Sequence, residues 1–201
     1  MFFWILILVI GYFLGNLNGA LLISRGLMHD DVRTHGSGNA GLTNFFRTYG
    51  GFRSLLVIVI DFGKTLLACW IAGLLLPEAG LRSVVAAGLA CILGHSFPVL
   101  EGFRGGKGIL CGAAVGLMTD PLIFAIIMAV FILAVVLTKY VSLGSVLAAA
   151  SYSVCVLAFY WGDPVTCLLA VAAGGFVIWR HRANIGRLLK GTESKLTFRK
   201  K

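Results

Sequence analysis

Residues Val84–Met118 read VVAAGLACILGHSFPVLEGFRGGKGILCGAAVGLM. Two apolar runs flank Gly102–Gly108, GFRGGKG, in which four of seven residues are glycine and two are cations. Apolar runs of about 17–25 residues match a bilayer crossing, so a glycine-rich basic loop between two of them lies at a membrane face. The rest of the chain has the same character. Of its 201 residues, 59% are hydrophobic and only 12% are charged, against roughly 45–50% apolar and 25% charged in soluble domains. A water-soluble core of this size does not hide that much apolar surface. The composition therefore excludes an ordinary soluble enzyme. It implies an all-α, polytopic integral membrane protein, with 1–201 as one transmembrane domain and no soluble appendage.

The run MFFWILILVIGYFLGNLNGALLIS has no cation before Arg25. A cleaved signal peptide has a positive start and a small-residue cleavage site, so this run is expected to remain as the first span. Seven transmembrane helices are predicted, near 2–23, 54–76, 82–98, 108–119, 121–138, 144–160 and 164–180. The fourth covers only about 18 Å at 1.5 Å per residue, which makes it a partial or deeply packed crossing; five or six spans is the alternative count. Proline and glycine punctuate the turns LLPEAGL, MTDP and YWGDP, and Pro98 ends the third span. Segments 24–53, 99–107, 139–143 and 180–201 hold 15 of the 17 Lys and Arg, with Arg82 alone in the opposite turns and Lys64 inside a span. By the positive-inside rule those four segments are cytoplasmic and the N-terminus is outside. The basic tail 180–201 is also open to a second reading, as a surface for anionic headgroups. Five cysteines fall in apolar runs without a CxxC pair and read as small buried hydrophobes. His29, His35, His95 and His181 lack carboxylate companions at ligand spacing, so no metal and no cofactor is expected, and no nucleic-acid partner.

Three polar segments share the cytoplasmic face. THGSGNAGLTNFFRTYGG, Thr34–Gly51, sets Ser37, Gly38, Asn39, Thr43, Asn44 and Arg47 among five glycines. Such a loop is either a plain turn or a nest whose backbone amides hold an anion, with Arg47 able to grip a phosphate through two bonds. The second segment, GHSFPVLEGFRGGKG, is not a Walker A loop, because Gly108 follows Lys107 where a hydroxyl residue would hold magnesium. It is either a positive-inside linker or an anion seat made of glycine amides, Lys107 and a helix start. The third is WRHRANIGRLLKGTESK, Trp179–Lys195. On a helix His181 and Asn184 share one face and Arg180, Asn184 and Arg187 an overlapping one; a basic interfacial helix is the alternative. Ser142 and Ser145 start the sixth span, where serine commonly acts only as a cap. Asp61 and Lys64, three apart inside the second span, either pair with each other or face a site. Cationic segments over an apolar body suit a ligand with a phosphate head and an apolar tail.

SGNAGLTN, GHSFP…GFRGGKG, YVSLGS and HRANIGRLLKGTE closely resemble the signature segments of the bacterial PlsY family of membrane acyl-phosphate:glycerol-3-phosphate acyltransferases. The likeness runs from about Gly15 to Lys195. It implies seven helices in the bacterial cell membrane, an active site on the cytoplasmic face, and transfer of a fatty acyl group from acyl phosphate to the 1-hydroxyl of sn-glycerol 3-phosphate. The products would be 1-acylglycerol 3-phosphate and phosphate, the first step of phospholipid synthesis. Carried over by position, Lys107, His181, Asn184, Arg47 and Ser142 match residues of the reacting centre. Ser37, Gly38, Asn39, Thr43, Asn44, His95, Arg104, Gly105, Gly106, Gly108 and Arg187 match substrate and phosphate ligands. Ala40 and Leu42 replace a proline and an alanine of the first motif, Arg104 a lysine of the second, and Ala183 a glutamate of the third.

Acyl phosphate is a mixed anhydride with a good leaving group, so the expected work is to hold and neutralise two phosphates while the hydroxyl reaches the carbonyl. The chain has no GxSxG elbow and no His-x4-Asp pair. The hydroxyl's proton goes either to the acyl phosphate's own oxygens, as the resemblance implies, or to His181. Two other classes stay open: a transporter of phosphorylated metabolites, which would give flux and no acylated product, and a lipid-binding structural protein, which would tolerate replacement of GGKG.

Overall fold

The computed structural model describes residues 1–196; Arg199, Lys200 and Lys201 of the basic tail lie outside the described residues. The described residues form helices joined by short loops. The first apolar run is not one rod. It breaks at Leu17–Asn18 into α1, Phe2–Asn16, and α2, Gly19–Met28. Asn18 explains the break, since its Oδ1 accepts from the Leu21 amide at 3.1 Å and caps α2. The first polar segment, expected as a loop throughout, contains a helix, α3, Leu42–Tyr49. Then come α4, Arg53–Leu75; α5, Leu81–Ser96; α6, Ile109–Thr119; α7, Pro121–Thr138; α8, Val141–Phe159; α9, Pro164–Arg180; and α10, Arg182–Leu189. The starts of α7 and α9 share one device. Asp120 and Asp163 accept from the amides of Leu122 and Thr166, and a proline takes the first helical position.

Five segments are long and apolar enough to cross a membrane: Phe2–Met28, Arg53–Leu75, Leu81–Glu101, Pro121–Thr138 and Val141–Phe159. The pair α9–α10, bent by 56°, makes a sixth if taken as one span. With 11 residues α6 is shorter, and Cys111, Ala114 and Val115 on it are fully buried. The seven predicted apolar segments thus all form helices, but α6 lacks the length for a crossing.

The bundle is apolar outside as well as inside. Leu122, Ile132, Leu133, Val136 and Leu137 on α7 are exposed, a surface suited to lipid and not to water. The main core joins Cys69 on α4, Ile92 on α5, Cys111 and Val115 on α6, Val156 on α8 and Val177 on α9. All five cysteines are free and four are buried, as expected of small apolar residues. α1 and α5 touch backbone to backbone. A Cβ at Gly15 would overlap the Cys91 carbonyl, and one at Gly94 would overlap the Tyr12 carbonyl.

Candidate functional site

The first polar segment is held in shape by Asn44. This buried side chain accepts from the Ser37 amide at 3.0 Å and donates to the carbonyls of Val32 and His35 at 2.9 and 3.0 Å. It closes residues 32–37 into a fixed loop. Arg33 ties that loop to the second segment by donating to the carbonyls of Glu101 at 3.1 Å and Arg104 at 3.4 Å.

The second segment folds back on the end of α5. The amides of Gly105 and Gly106 donate to the carbonyls of Ser96 and His95 at 3.3 and 3.0 Å. Neither glycine has room for a Cβ. At Gly105 it would meet the His95 carbonyl and Pro98, and at Gly106 the His95 ring and, at 2.8 Å, the Ala40 carbonyl. The glycines are therefore required by the protein's own packing. Arg180 donates to the Gly106 carbonyl at 2.9 Å from the other side. Gly108, with φ +80°, turns the chain into α6 in a region that side chains avoid.

The third segment supplies the anchor. His181 sits at the break between α9 and α10, not on one continuous helix with Asn184. Its Nδ1 lies 2.8 Å from the Val177 carbonyl. A carbonyl only accepts, so Nδ1 carries the proton and Nε2 of the neutral ring is left as the acceptor. Asn184 bridges two segments: Lys107 Nζ donates to its Oδ1 at 2.6 Å, and its Nδ2 donates to Glu193 Oε1 at 2.8 Å. Glu193 also accepts from Ser142 Oγ at 2.8 Å and from Arg187 Nε at 2.6 Å. Arg47 donates to the neighbouring Ser194 carbonyl at 2.8 Å.

The electrostatics follow from this crowding. Burial, then the nearby Arg187, Arg180 and Arg47, push the Lys107 ammonium down to about 8, with Glu193 opposing. Burial alone would raise the Glu193 carboxyl, but donors from Asn184, Ser142 and Arg187 hold it below its ordinary value. The cluster stays cationic, because one carboxylate faces several cations.

Two cavities meet here. A polar cleft is lined by Ser37, Gly38, Asn39, Arg104, Gly105, Lys107, Arg180, Arg182, Asn184 and Arg187. A second cavity, about 910 Å³, runs into the bundle between Phe62, Phe124, Ile127, Phe131, Tyr152 and Val177, and carries Thr43, Asn44, Arg47, His95, Gly108, Ser142, His181 and Glu193 among its walls. Ser37, Asn39, Lys107, Asn184 and Arg187 belong to both. Each residue expected at the site lines one cavity or the other except Gly106, which sits behind, against His95.

Sequence reasoning missed Glu193, although it is the sole carboxylate in the segment 180–201 with its eight cations. That isolation was the available signal. It also missed Arg180 as a clamp on Gly106. Asp61 and Lys64 do pair, at 2.8 Å, and Lys64 Nζ lies 3.0 Å from His95 Nδ1.

The family model described as "Glycerol-3-phosphate acyltransferase" matches residues 5–191. The chain belongs to the glycerol-3-phosphate acyltransferase family. A relative from Finegoldia magna, named glycerol-3-phosphate acyltransferase, is 39% identical over 188 residues, covering 94% of this chain and 93% of that protein. One from Bacillus cytotoxicus with the same name is 39% identical over 201 residues, covering 100% and 99%. The crystal structure of PlsY (YgiH), an integral membrane glycerol 3-phosphate acyltransferase in its glycerol 3-phosphate form, superposes with a TM-score of 0.87 at 33% identity, covering 96% of both chains. Its lysophosphatidic acid form gives 0.85 at 30% identity, covering 96% and 95%. The two solved structures thus share this chain's helical framework.

Proposed function

We propose that the protein transfers a fatty acyl group from acyl phosphate to the 1-hydroxyl of sn-glycerol 3-phosphate, giving 1-acylglycerol 3-phosphate and inorganic phosphate, the first step of bacterial phospholipid synthesis. The observation that carries this reading is the shared wall of the two cavities. A cationic cleft suited to a small phosphorylated acceptor meets an apolar cavity suited to an acyl chain, and Lys107 and Asn184 stand at the junction.

In this reading the acceptor's phosphate lies in the cleft among the first loop, Arg104, the Gly105–Lys107 backbone and Arg187. The donor's chain lies in the bundle with its phosphate near Arg47, and the Lys107 ammonium, at the junction of the two cavities, reaches both phosphates. The acceptor oxygen attacks the carbonyl carbon, the bond from that carbon to the phosphate oxygen breaks, and the hydroxyl proton leaves on a phosphate oxygen of the donor. His181 Nε2, unprotonated in the neutral ring, is the rival acceptor of that proton. Lys107 and the arginines favour the reaction by stabilising charge that gathers on the departing phosphate in a site shielded from water. The protein sits in the cytoplasmic membrane with the N-terminus outside and the site inside. Seven crossings require α6 as a short, packed one.

Purified protein given labelled glycerol 3-phosphate with acyl phosphate, and in parallel with acyl-CoA, tests the proposal. Lysophosphatidate is expected with acyl phosphate alone. Equal turnover with both donors removes the donor assignment, and product with neither removes the activity.

A further inference from the structure

Beneath the point where the first two polar segments meet lies a buried cation that the proposed reaction does not use. Lys64 Nζ, on α4, has four acceptors around it: the carbonyls of Gly15 at 3.1 Å and Leu17 at 2.7 Å, Asp61 Oδ1 at 2.8 Å and His95 Nδ1 at 3.0 Å. An ammonium has three protons to share among them. Asp61 Oδ1 also accepts the Gly19 amide, the first of α2, at 3.0 Å, and stands 3.4 Å from His95 Nδ1. The three side chains are at most 4% exposed.

Part of this arrangement is explained by the break between α1 and α2. Helix-end carbonyls in an apolar interior need a donor, and Lys64 supplies it. That need does not account for His95. With Nδ1 accepting from the ammonium, a neutral imidazole carries its proton on Nε2, and this nitrogen faces Gly106, where an added Cβ would overlap it. The same Cβ would lie 2.8 Å from the Ala40 carbonyl, which accepts from Asn18 Nδ2 at 3.0 Å. His95 also gives its own carbonyl to the Gly106 amide at 3.0 Å. One cation therefore reaches the underside of the Gly105–Lys107 loop through His95. The same helix break reaches the Ser37–Ala40 loop through Asn18.

We infer that Lys64 is a positioning residue for the glycerol 3-phosphate seat: through the His95 ring it fixes the Gly105–Lys107 backbone against the Ser37–Ala40 loop, without touching substrate. The inference rests on the reading that these loops hold the acceptor. A misplacement of about 1 Å at such a seat is worth up to about 100-fold in rate.

Lys64→Met alone strands a buried carboxylate and tests folding more than positioning. The test is the full-length double variant Asp61→Asn/Lys64→Met, which keeps the interior neutral. It is compared with Gly106→Ala, which shifts the same loop from the other side, and with Lys107→Ala as a control. Size-exclusion profile and thermal unfolding establish folding, and kinetics are measured separately against glycerol 3-phosphate and acyl phosphate. The expected result is a folded double variant with KM for glycerol 3-phosphate raised about 10-fold or more, KM for acyl phosphate little changed, and the same split in Gly106→Ala. A folded double variant with parental KM values, or one in which both KM values and kcat decline in parallel, overturns the inference. So does a double variant that fails to fold, since the network is then a determinant of the fold alone. If Lys107→Ala also leaves KM for glycerol 3-phosphate at the parental value, the seat itself is misassigned. If Lys107→Ala raises it while the double variant is silent, only the positioning role falls.

Discussion

Lys107 Nζ and Asn184 Oδ1 lie 2.6 Å apart, although 77 residues separate them in the chain. This bond joins the glycine-rich loop to α10 and, through Asn184 Nδ2, to Glu193. It holds the ammonium extended over the junction of the two cavities. The cation is thus pre-positioned, and the loop that carries it is held at both ends by backbone hydrogen bonds.

Removing that cation is expected to impair chemistry more than folding. Hydrogen bonds to charged groups contribute about 1.5–3 kcal/mol, so Lys107→Ala should lower kcat/KM by roughly 10- to 150-fold. The unfolding temperature should move little. Lys107→Arg should recover only part of the activity, because a planar fork does not reproduce a point charge held by one amide oxygen. Steady-state kinetics on detergent-purified variants decide it, and parental kcat/KM in a folded Lys107→Ala would move the phosphate seat elsewhere.

The titration of Lys107 has a definite sign. Burial and neighbouring arginines bring its ammonium down to about 8, so the free enzyme loses this charge as pH rises through that value. The apparent affinity for glycerol 3-phosphate should be full below pH 7 to 8 once the substrate is ionised, and should weaken above about pH 8. Lys107→Arg should flatten that alkaline limb, since a guanidinium keeps its proton. A profile of kcat/KM from pH 6 to 10 with the same alkaline limb in both proteins would assign the limb to another group.

Glu193 gathers three donors from α8 and α10. Glu193→Gln turns one acceptor oxygen into a donor that must face Ser142 and Asn184 or Arg187. It should destabilise the protein by about 1.5–3 kcal/mol and release Asn184 from its bridging orientation, so that activity falls as well. Thermal unfolding in detergent beside an activity assay measures both. Unchanged stability would mean that the carboxylate's partners are satisfied by water.

The apolar cavity makes a prediction about chain length. A Cβ at Gly112 would stand 3.9 Å from Val177, an ordinary contact, so Gly112→Leu places its bulk in the cavity without breaking the helix. Competition between long and short acyl phosphates should then shift toward the short donor by about 10-fold or more, the scale set by a methylene or two that no longer fits an apolar pocket. An unaltered ratio would place the acyl chain outside this cavity.

Much of the framework was legible from hydropathy. All seven apolar segments are helical, and the span 121–138 was placed to the residue because Asp120 and Pro121 mark its start. The break at Leu17–Asn18 has a local signal in the Asn18 cap, but the donor that satisfies its freed carbonyls, Lys64, sits on a different helix, 47 residues from Leu17. Nor was α3, whose polar face reads locally as loop while Phe45 is buried against α2 and α4. At the site, residue types and glycine spacing indicated an anion seat, and the three segments do converge. What failed was the reason for the glycines. From sequence their amides were expected to face an anion, whereas Gly105 and Gly106 donate theirs to the carbonyls of Ser96 and His95 and are pressed against His95. Glu193 was overlooked because a lone carboxylate in a basic tail gives no periodic pattern, and its partners come from two helices.

Glu193 also follows every described helix in the chain. A ribosome delivers chains from the N-terminus, at about 5–20 residues per second, so every apolar helix is synthesised before this carboxylate. Until then Ser142, Asn184 and Arg187 lack the carboxylate to which they donate. A translation product that stalls after Leu189 would carry the entire membrane body and the Lys107–Asn184 pair, but not the carboxylate that joins Asn184 to Ser142 and Arg187. Closure of the hydrogen-bond network around Asn184 is in this way deferred to the end of synthesis.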